Sequence, residues 1–299
     1  MAGKRIVTRG DLDGLTCAVL IGLNEQVDDV LLVHPQDIIE NTVEIGPQDI
    51  IANLPYHPNC GKWFDHHQHT VRFAPPTEFE GRFGQAPSAA RLVYEYYGGG
   101  ERMPGFDELV VETDRLDSAD LTLDDILDPQ GYIKLGFTID GRSGLGAFES
   151  YFLTLMTLLM QRRPIAEVLD HPEVARRCSR LEEEDVELHT AIQEHSKVQG
   201  NVLVTDFRNL ERVPVGNRFL VFALFPAINV AVRLQWGPGR ASTMCTLGHS
   251  ILNRTCQTNV GELAARYGGG GHKGAASIKL TEEPDYQVAM IVGELQANG

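Results

Sequence analysis

The sequence has few cysteines, few aromatic residues and no long apolar run. Its five cysteines are scattered and odd in number, which argues against a framework of disulfides and predicts a reduced, cytoplasmic chain. The longest apolar stretch, at 151–160, falls short of the roughly 18 residues of a membrane span and suits a buried helix. The first residues run directly into a strand pattern, so we expect neither a signal peptide nor a membrane partner.

Basic charge is also in short supply. The chain carries 26 Lys and Arg against 41 Asp and Glu, a formal net charge of −15. Tight binding of long nucleic acid depends on many contacts between basic side chains and phosphates, so this balance argues against such a partner. The last 99 residues differ, with nine basic and seven acidic side chains, and are compatible with a small phosphorylated ligand.

The spacing of apolar residues predicts two domains, at 1–199 and 200–299. In the first, short apolar runs alternate with helices or loops, which is typical of an α/β fold with a doubly wound, mostly parallel sheet. The second changes to runs of strands with two helices, typical of a smaller α+β domain. The predicted strands are 5–8, 28–33, 49–52, 62–64, 202–205, 218–224, 228–233 and 242–247, and the predicted helices include 86–97, 106–116, 260–267 and 285–297.

Acidic and histidine side chains follow two of the predicted strands. Asp11 and Asp13 lie in the turn after the first strand, and Asp65, His66 and His67 end the strand at 62–64. Open α/β sheets bind ligands at the carboxyl ends of their strands, and Mn²⁺ accepts mixed carboxylate and imidazole ligands. The pattern therefore indicates a metal site. The alternatives are that the two aspartates only cap a helix and that the histidines are ordinary turn residues.

A glycine run near the end of the chain indicates a second kind of site. Glycines let backbone N–H groups approach an anion closely, and a following histidine and lysine supply charge-assisted donors. Such a run can also be a plain flexible turn. Read with the acidic motifs, it predicts a phosphate-binding segment, formed by Gly269, Gly270, Gly271, His272 and Lys273.

Four segments together resemble a known family. Gly-Asp-Leu-Asp-Gly at 10–14, Asp-His-His at 65–67, Asp-Ser-Ala-Asp at 117–120 and Gly-Gly-Gly-Gly-His at 268–272 are similar, in content and order, to the motifs of DHH phosphoesterases with a C-terminal DHHA1 domain. The resemblance covers nearly the whole chain, and 53–67 is most similar to exopolyphosphatase-related members. It implies hydrolysis of phosphodiester or phosphoanhydride bonds in a short oligonucleotide, a nucleotide or polyphosphate, with Mn²⁺ or Mg²⁺. A homodimer is the default expectation for such a chain.

The resemblance also implies roles for individual residues. Asp11 would bind a first metal, and Asp13, His66 and Asp117 a second, with Asp114 as the rival to Asp117. Asp65 would orient the second site or ligate weakly, and His67 would face the scissile phosphate. Arg254 would hold a phosphate of the substrate together with the glycine run and His272.

The chain departs from the family pattern at two positions. Arg9 stands where members carry a metal-binding histidine, and Asn53 where they carry a metal-bridging aspartate. A guanidinium stays protonated and cannot ligate a cation. We therefore predict one tight metal rather than two, with Arg9 supplying positive charge to the phosphate. The alternative is a weakened member that binds a nucleotide as a regulatory protein without turnover.

Overall fold

A computed structural model of the chain describes residues 3–67, 75, 77–139 and 148–297, which form two compact units. The first comprises Met1–Asp120 and Pro129–Arg180, and the second comprises Leu121–Asp128 and Leu181–Gly299. No helix in these described ranges is long and apolar enough to cross a membrane. The predicted domain boundary at residue 200 remains a prediction.

The first unit is built on a five-stranded sheet whose pairings are all parallel, in the order β2-β1-β3-β4-β5. Strands β3 and β4 are buried at every position, as expected for central strands covered on both faces. The predicted parallel α/β sheet is therefore confirmed. The strands are β1 (Lys4–Thr8), β2 (Val27–Leu32), β3 (Asp49–Ala52), β4 (Lys62–Asp65) and β5 (Gly81–Phe83).

Helix α1 (Leu12–Gly22) is the central helix of this unit. All its residues from Leu12 to Ile21 are buried, and it packs against helices α3, α5 and α8. Thr16 on α1 and Thr113 on α5 share a buried hydrogen bond of 2.8 Å between their hydroxyls, which fixes these two helices against each other. The other helices are α2 (Pro35–Glu40), α3 (Ala89–Tyr96), α4 (Gly99–Arg102), α5 (Asp107–Asp117), α7 (Gly131–Phe137), α8 (Phe148–Met160) and α9 (Ile165–Leu169).

The second unit is built on a six-stranded mixed sheet, in the order β10-β11-β9-β8-β7-β6. Only the β7–β8 pair is parallel. Helices α12 and α13 share one apolar core with the strands. The strands are β6 (Ser196–Gln199), β7 (Val202–Asp206), β8 (Val230–Trp236), β9 (Thr243–His249), β10 (Gly270–His272) and β11 (Ala275–Leu280), and the helices are α6 (Leu123–Leu127), α11 (Leu220–Leu224), α12 (Val260–Ala265) and α13 (Pro284–Ala297), with α10 (Pro172–His195) crossing from the first unit.

The predicted strand at 218–224 is wrong. Leu220–Leu224 forms helix α11, which follows a turn stabilised by Asn217 instead of pairing with a neighbouring strand. The buried side chain of Asn217 accepts a hydrogen bond from the Phe219 N–H at 3.0 Å, and its carbonyl accepts one from the Leu220 N–H at 3.0 Å. Leu220 then packs on Leu188 of α10. A short apolar run cannot by itself distinguish a strand from a buried helix.

Candidate functional site

The parallel sheet brings the predicted metal ligands to one edge. Thr8, Ala52 and Phe64 lie in register across β1, β3 and β4, so the residues that follow them emerge side by side. The order of connection reverses between β1 and β3, because β1 leads to β2 on one side and β3 leads to β4 on the other. Doubly wound sheets bind their ligands outside the carboxyl ends of the strands at such a reversal.

His66 presents one ring nitrogen toward two carboxylates. Its Nδ1 lies 3.0 Å from the carbonyl oxygen of Ala86, which can only accept, so Nδ1 carries a proton and Nε2 is the nitrogen that can release its proton and bind a cation. Nε2 lies 3.1 Å from Asp117 Oδ2 and 3.8 Å from Asp13 Oδ2. It is buried and has no hydrogen-bond partner among the residues that the structure describes. This orientation is the one that metal-binding histidines adopt.

These three residues fit a divalent cation. Ligand atoms of Asp13, His66 and Asp117 all lie within 4.8 Å of one another. Two carboxylates and one imidazole suit Mn²⁺ and similar ions, and a cation would take the place of the proton through which Nε2 pairs with Asp117. Burial works against a charged imidazole, but the ion pair with Asp117 and the charge of Asp13 outweigh it and raise the pKa of His66 to about 9.

Asp13 is held by the start of helix α3. Its Oδ2 accepts a hydrogen bond from the Ala89 N–H at 3.0 Å, and its Oδ1 accepts one from the Ala90 N–H at 2.7 Å. The N-terminus of a helix favours negative charge, so these bonds position the carboxylate. Burial and the charges of Asp117 and Asp11 nevertheless raise the pKa of Asp13 well above its usual range. A cation between Asp13 and Asp117 would relieve this repulsion.

The geometry separates Asp117 from its rival Asp114, one helical turn earlier on α5. Asp114 Oδ1 accepts a hydrogen bond from the Ser88 hydroxyl at 2.5 Å, and Oδ2 accepts one from Arg91 Nε at 2.8 Å. Ser88 also caps α3 by accepting from the Arg91 N–H at 3.0 Å. Asp114 therefore ties α5 to α3, and it is Asp117 that lies beside His66. Neither Ser88 nor Arg91 belongs to one of the motifs, although a serine before an apolar helical pattern is a recognisable cap.

Asp11 has both carboxylate oxygens engaged by protein donors. Oδ1 accepts hydrogen bonds from the Gly14 N–H and from Asn53 Nδ2, each at 2.9 Å, and Oδ2 lies 3.2 Å from Arg9 Nε. The first of these bonds makes Asp11 the N-cap of α1, so its alternative role as a cap is observed. The three ligand atoms grouped around His66 do not include Asp11. Arg9 and Asn53 thus surround the aspartate that was expected to hold a first metal.

Asp65 is buried beneath the two histidines and orients His67. Its Oδ1 accepts hydrogen bonds from the His66 N–H at 2.9 Å and from His67 Nδ1 at 2.8 Å. Its Oδ2 is buried and has no hydrogen-bond partner in the described ranges. The rings of His66 and His67 meet edge to face, with centroids 4.2 Å apart. Asp65 thus fixes the Nδ1 proton of His67 and the orientation of its ring.

In the second unit the glycine run forms an edge strand rather than a flexible turn. β10 pairs antiparallel with β11. A Cβ on Gly271, whose φ is +157°, would lie 2.2 Å from the carbonyl oxygen of Ala275, and one on Gly269 would lie 2.3 Å from that of Ser277. The glycines are therefore required for the close approach of the two strands. His272 and Lys273 follow on the exposed surface, and Arg254, also exposed, donates from Nε to the Ile251 carbonyl at 2.9 Å.

Comparison with known proteins identifies the family. A scan against protein-family models gave no match, and a search of curated proteins gave none either. Among solved structures, the chain is similar to the pGpG-specific phosphodiesterase PggH from Vibrio cholerae, with 35% sequence identity and a TM-score of 0.83 over 99% of this chain and 100% of that one. The chain belongs to the DHH phosphoesterase family. This confirms the resemblance drawn from the motifs.

Other DHH structures share the fold at lower identity. An exopolyphosphatase-related protein from Bacteroides fragilis has 14% identity and a TM-score of 0.55, over 99% of this chain and 92% of that one. RecJ from Thermus thermophilus, in complex with Mn²⁺, has 14% identity and a TM-score of 0.56, over 98% of this chain and 51% of that one. These likenesses support the two-unit α/β architecture. The roles of individual residues, the number of metals, the dimer and the cytoplasmic location stay predictions for this DHH protein.

Proposed function

We propose that this DHH protein is a metal-dependent phosphodiesterase that hydrolyses a short phosphorylated oligonucleotide, with the linear dinucleotide pGpG as the first substrate to test. The observation that carries the proposal is the buried Nε2 of His66, which faces Asp13 and Asp117 at the reversal point of the sheet. The 35% identity over the whole chain to a pGpG-specific phosphodiesterase supports the choice of substrate.

Each residue around this site has a role in the proposal. Asp13, His66 and Asp117 would hold a divalent cation such as Mn²⁺ or Mg²⁺. When bound, such a cation supplies a water of lowered pKa and offsets negative charge on the phosphoryl group. The start of α3 orients Asp13, and Ala86 orients His66. His67, oriented by Asp65, would donate or hold a proton at Nε2 beside the scissile phosphate.

The proposal includes one tight cation rather than two. Oδ1 of Asp11 already accepts hydrogen bonds from the Gly14 N–H and the Asn53 amide, and Oδ2 pairs with the Arg9 guanidinium. A metal ion there would have to displace these donors and would lie against a guanidinium. Arg9 would instead give its own positive charge to the substrate, since transition-state charge can be stabilised by a fixed cation without a metal.

The first experiment measures release of GMP from pGpG by protein supplied with Mn²⁺. We expect turnover in the wild type and loss of turnover in His66→Ala, because the variant lacks one of three ligands. His189→Ala, on helix α10 of the second unit, is a matched control that we expect to retain the wild-type rate. An unchanged rate in His66→Ala would sink the role assigned to His66. The absence of turnover in the wild type with either Mn²⁺ or Mg²⁺ would sink the proposed activity.

A second experiment counts the metal ions. We expect calorimetry to give one Mn²⁺ per chain in the wild type and two in the double variant Arg9→His with Asn53→Asp. Asn53 has a positive φ of 57°, which aspartate tolerates, so the variant should fold. Asn41→Asp is a matched control, because Asn41 also has a positive φ of 58° but lies elsewhere, beside His57. Two ions in the wild type would contradict the one-cation proposal.

The contacts of Asp11 also favour a second candidate, a DHH protein that binds a nucleotide without turnover. In that case the wild type would bind pGpG and leave it intact, while the double variant Arg9→His with Asn53→Asp would hydrolyse it. Turnover by the wild type that matches or exceeds that of the double variant would exclude this candidate.

A further inference from the structure

His249 lies at the end of strand β9, beside the turn that joins β10 to β11, and has a fixed ring orientation. Its backbone N–H donates to the Gly274 carbonyl at 2.8 Å. Its Nε2 lies 2.8 Å from the carbonyl oxygen of Thr258. A carbonyl only accepts, so Nε2 carries the ring proton and Nδ1 keeps its lone pair. His249 therefore offers an acceptor, not a donor, at Nδ1.

Gly274 links His249 to His272. Its N–H donates to His272 Nδ1 at 3.2 Å, which leaves the proton of His272 on Nε2. A Cβ on Gly274 would meet the two imidazoles: it would lie 3.7 Å from His272 Cε1 and 4.0 Å from His249 Nδ1, with no backbone among its nearest neighbours. The two rings thus flank one small space beside β10, and the absence of a side chain at position 274 keeps it open.

The charge around His249 keeps the acceptor available at neutral pH. Burial and the neighbouring charge of Lys273 lower the pKa of His249 and outweigh the opposing hydrogen bond to Thr258. The ring is therefore neutral at pH 7, since an unperturbed histidine already loses its proton below that value. The other groups that could meet a ligand here, His272 Nε2 and the ammonium of Lys273, are donors and suit a phosphate. A phosphate oxygen has no proton for His249 to accept.

We propose that His249 is a specificity-determining residue whose Nδ1 accepts a hydrogen bond from the ribose 2′-hydroxyl next to the phosphate that β10 binds. This inference rests on the proposed function, because it assumes a nucleotide substrate. A 2′-hydroxyl is the group that distinguishes a ribonucleotide from a deoxyribonucleotide, and it can donate to a neutral imidazole. The site would then select short RNA-type substrates over their DNA-type counterparts.

The test compares pGpG with its 2′-deoxy counterpart by their kcat/KM ratio. We expect the wild type to prefer pGpG by about tenfold, the effect of one hydrogen bond at a half-buried site. His249→Phe should retain turnover of the deoxy substrate and lose the preference. His249→Gln keeps an acceptor and a donor and should retain part of it. Gly274→Ala adds a methyl group at ordinary contact distances, so it should fold and lower kcat/KM for pGpG alone. Gly293→Ala, in helix α13, is the control.

The outcomes separate this inference from the proposed function. Equal kcat/KM for the two substrates in the wild type would overturn the role of His249 and leave the phosphodiesterase intact. A preference that survives in His249→Phe would also overturn it, because another residue would then recognise the 2′-hydroxyl. If neither substrate is hydrolysed, the proposed function fails. The inference about His249 is then tested by calorimetry, as the ratio of the affinities for pGpG and its 2′-deoxy counterpart.

Discussion

The charges around His66 lead to a quantitative prediction for the pH dependence of metal binding. Asp117 and Asp13 outweigh the effect of burial and raise the pKa of His66 from 6.5 to about 9. A cation and a proton compete for the same Nε2, so each pH unit below the pKa weakens apparent metal affinity about tenfold. We therefore expect the apparent Kd for Mn²⁺ to fall about 100-fold from pH 6 to pH 8. The raised pKa of Asp13 acts in the same direction.

Calorimetry can test both the slope and the proton that causes it. Titrations at pH 6, 7 and 8, each in two buffers that differ in ionisation enthalpy, should show release of about one proton per Mn²⁺ at pH 7. In Asp117→Asn the neutral side chain no longer supports the imidazolium, so binding should be weaker and its pH dependence flatter. Asp124→Asn, on helix α6, is the control for a lost aspartate. An apparent Kd that stays constant between pH 6 and pH 8 would refute the reasoning.

Three further predictions concern the groups that support the two units. Burial opposes the charge of the half-buried Glu25 carboxylate, but hydrogen bonds from Lys4, Lys62 and Tyr97 outweigh it and lower the pKa of Glu25 to about 2. Glu25→Gln should therefore lower the free energy of unfolding at pH 7 by about 2 kcal/mol, and this difference in urea unfolding should vanish as the pH falls from 4.5 toward 2. Asp114→Asn should weaken Mn²⁺ binding about tenfold in calorimetry with an unchanged stoichiometry, because Asp114 positions α5 without being a ligand; loss of all binding would show that it ligates. Gly271→Ala should destabilise the chain by about 2 kcal/mol and weaken binding of pGpG, because the added methyl group would clash with the Ala275 carbonyl. If the variant unfolds at the same temperature as the wild type, this prediction is wrong.

The sequence could predict that Asp13 and His66 come together, because a parallel sheet turns a local pattern into a shared position. Asp13 and His66 each follow an apolar run that becomes a central strand, and the carboxyl ends of those strands must lie at one edge. No sequence pattern could choose between Asp114 and Asp117, since both lie on the same side of α5 one turn apart. Arg91 decides it by binding Asp114, and that contact depends on how α3 packs against α5.

The second unit was predicted less well because its local patterns are ambiguous. The apolar run that ends at Leu224 is compatible with a strand, but in the structure it forms a helix after a turn that Asn217 stabilises. Four consecutive glycines predict a turn on propensity alone, and strand β10 exists because β11 pairs with it. His249 has no motif around it in the sequence. Its position beside His272 depends on the bonds that Gly274 makes to both residues.

The two departures from the family pattern gain a common explanation from their shared contact with Asp11. If Arg9 alone were a histidine, the amide N–H₂ of Asn53 would still occupy Asp11 Oδ1 and repel a cation. If Asn53 alone were an aspartate, its carboxylate would lie beside Asp11 and the guanidinium of Arg9, and could pair with that guanidinium instead of a metal. Either change by itself would therefore leave Asp11 in contact with a positively charged or hydrogen-bond-donating side chain that opposes binding of a cation. In the proposed one-cation site the two residues would therefore act as one substitution, in which a fixed cation and an amide donor replace a metal ion and its carboxylate ligand.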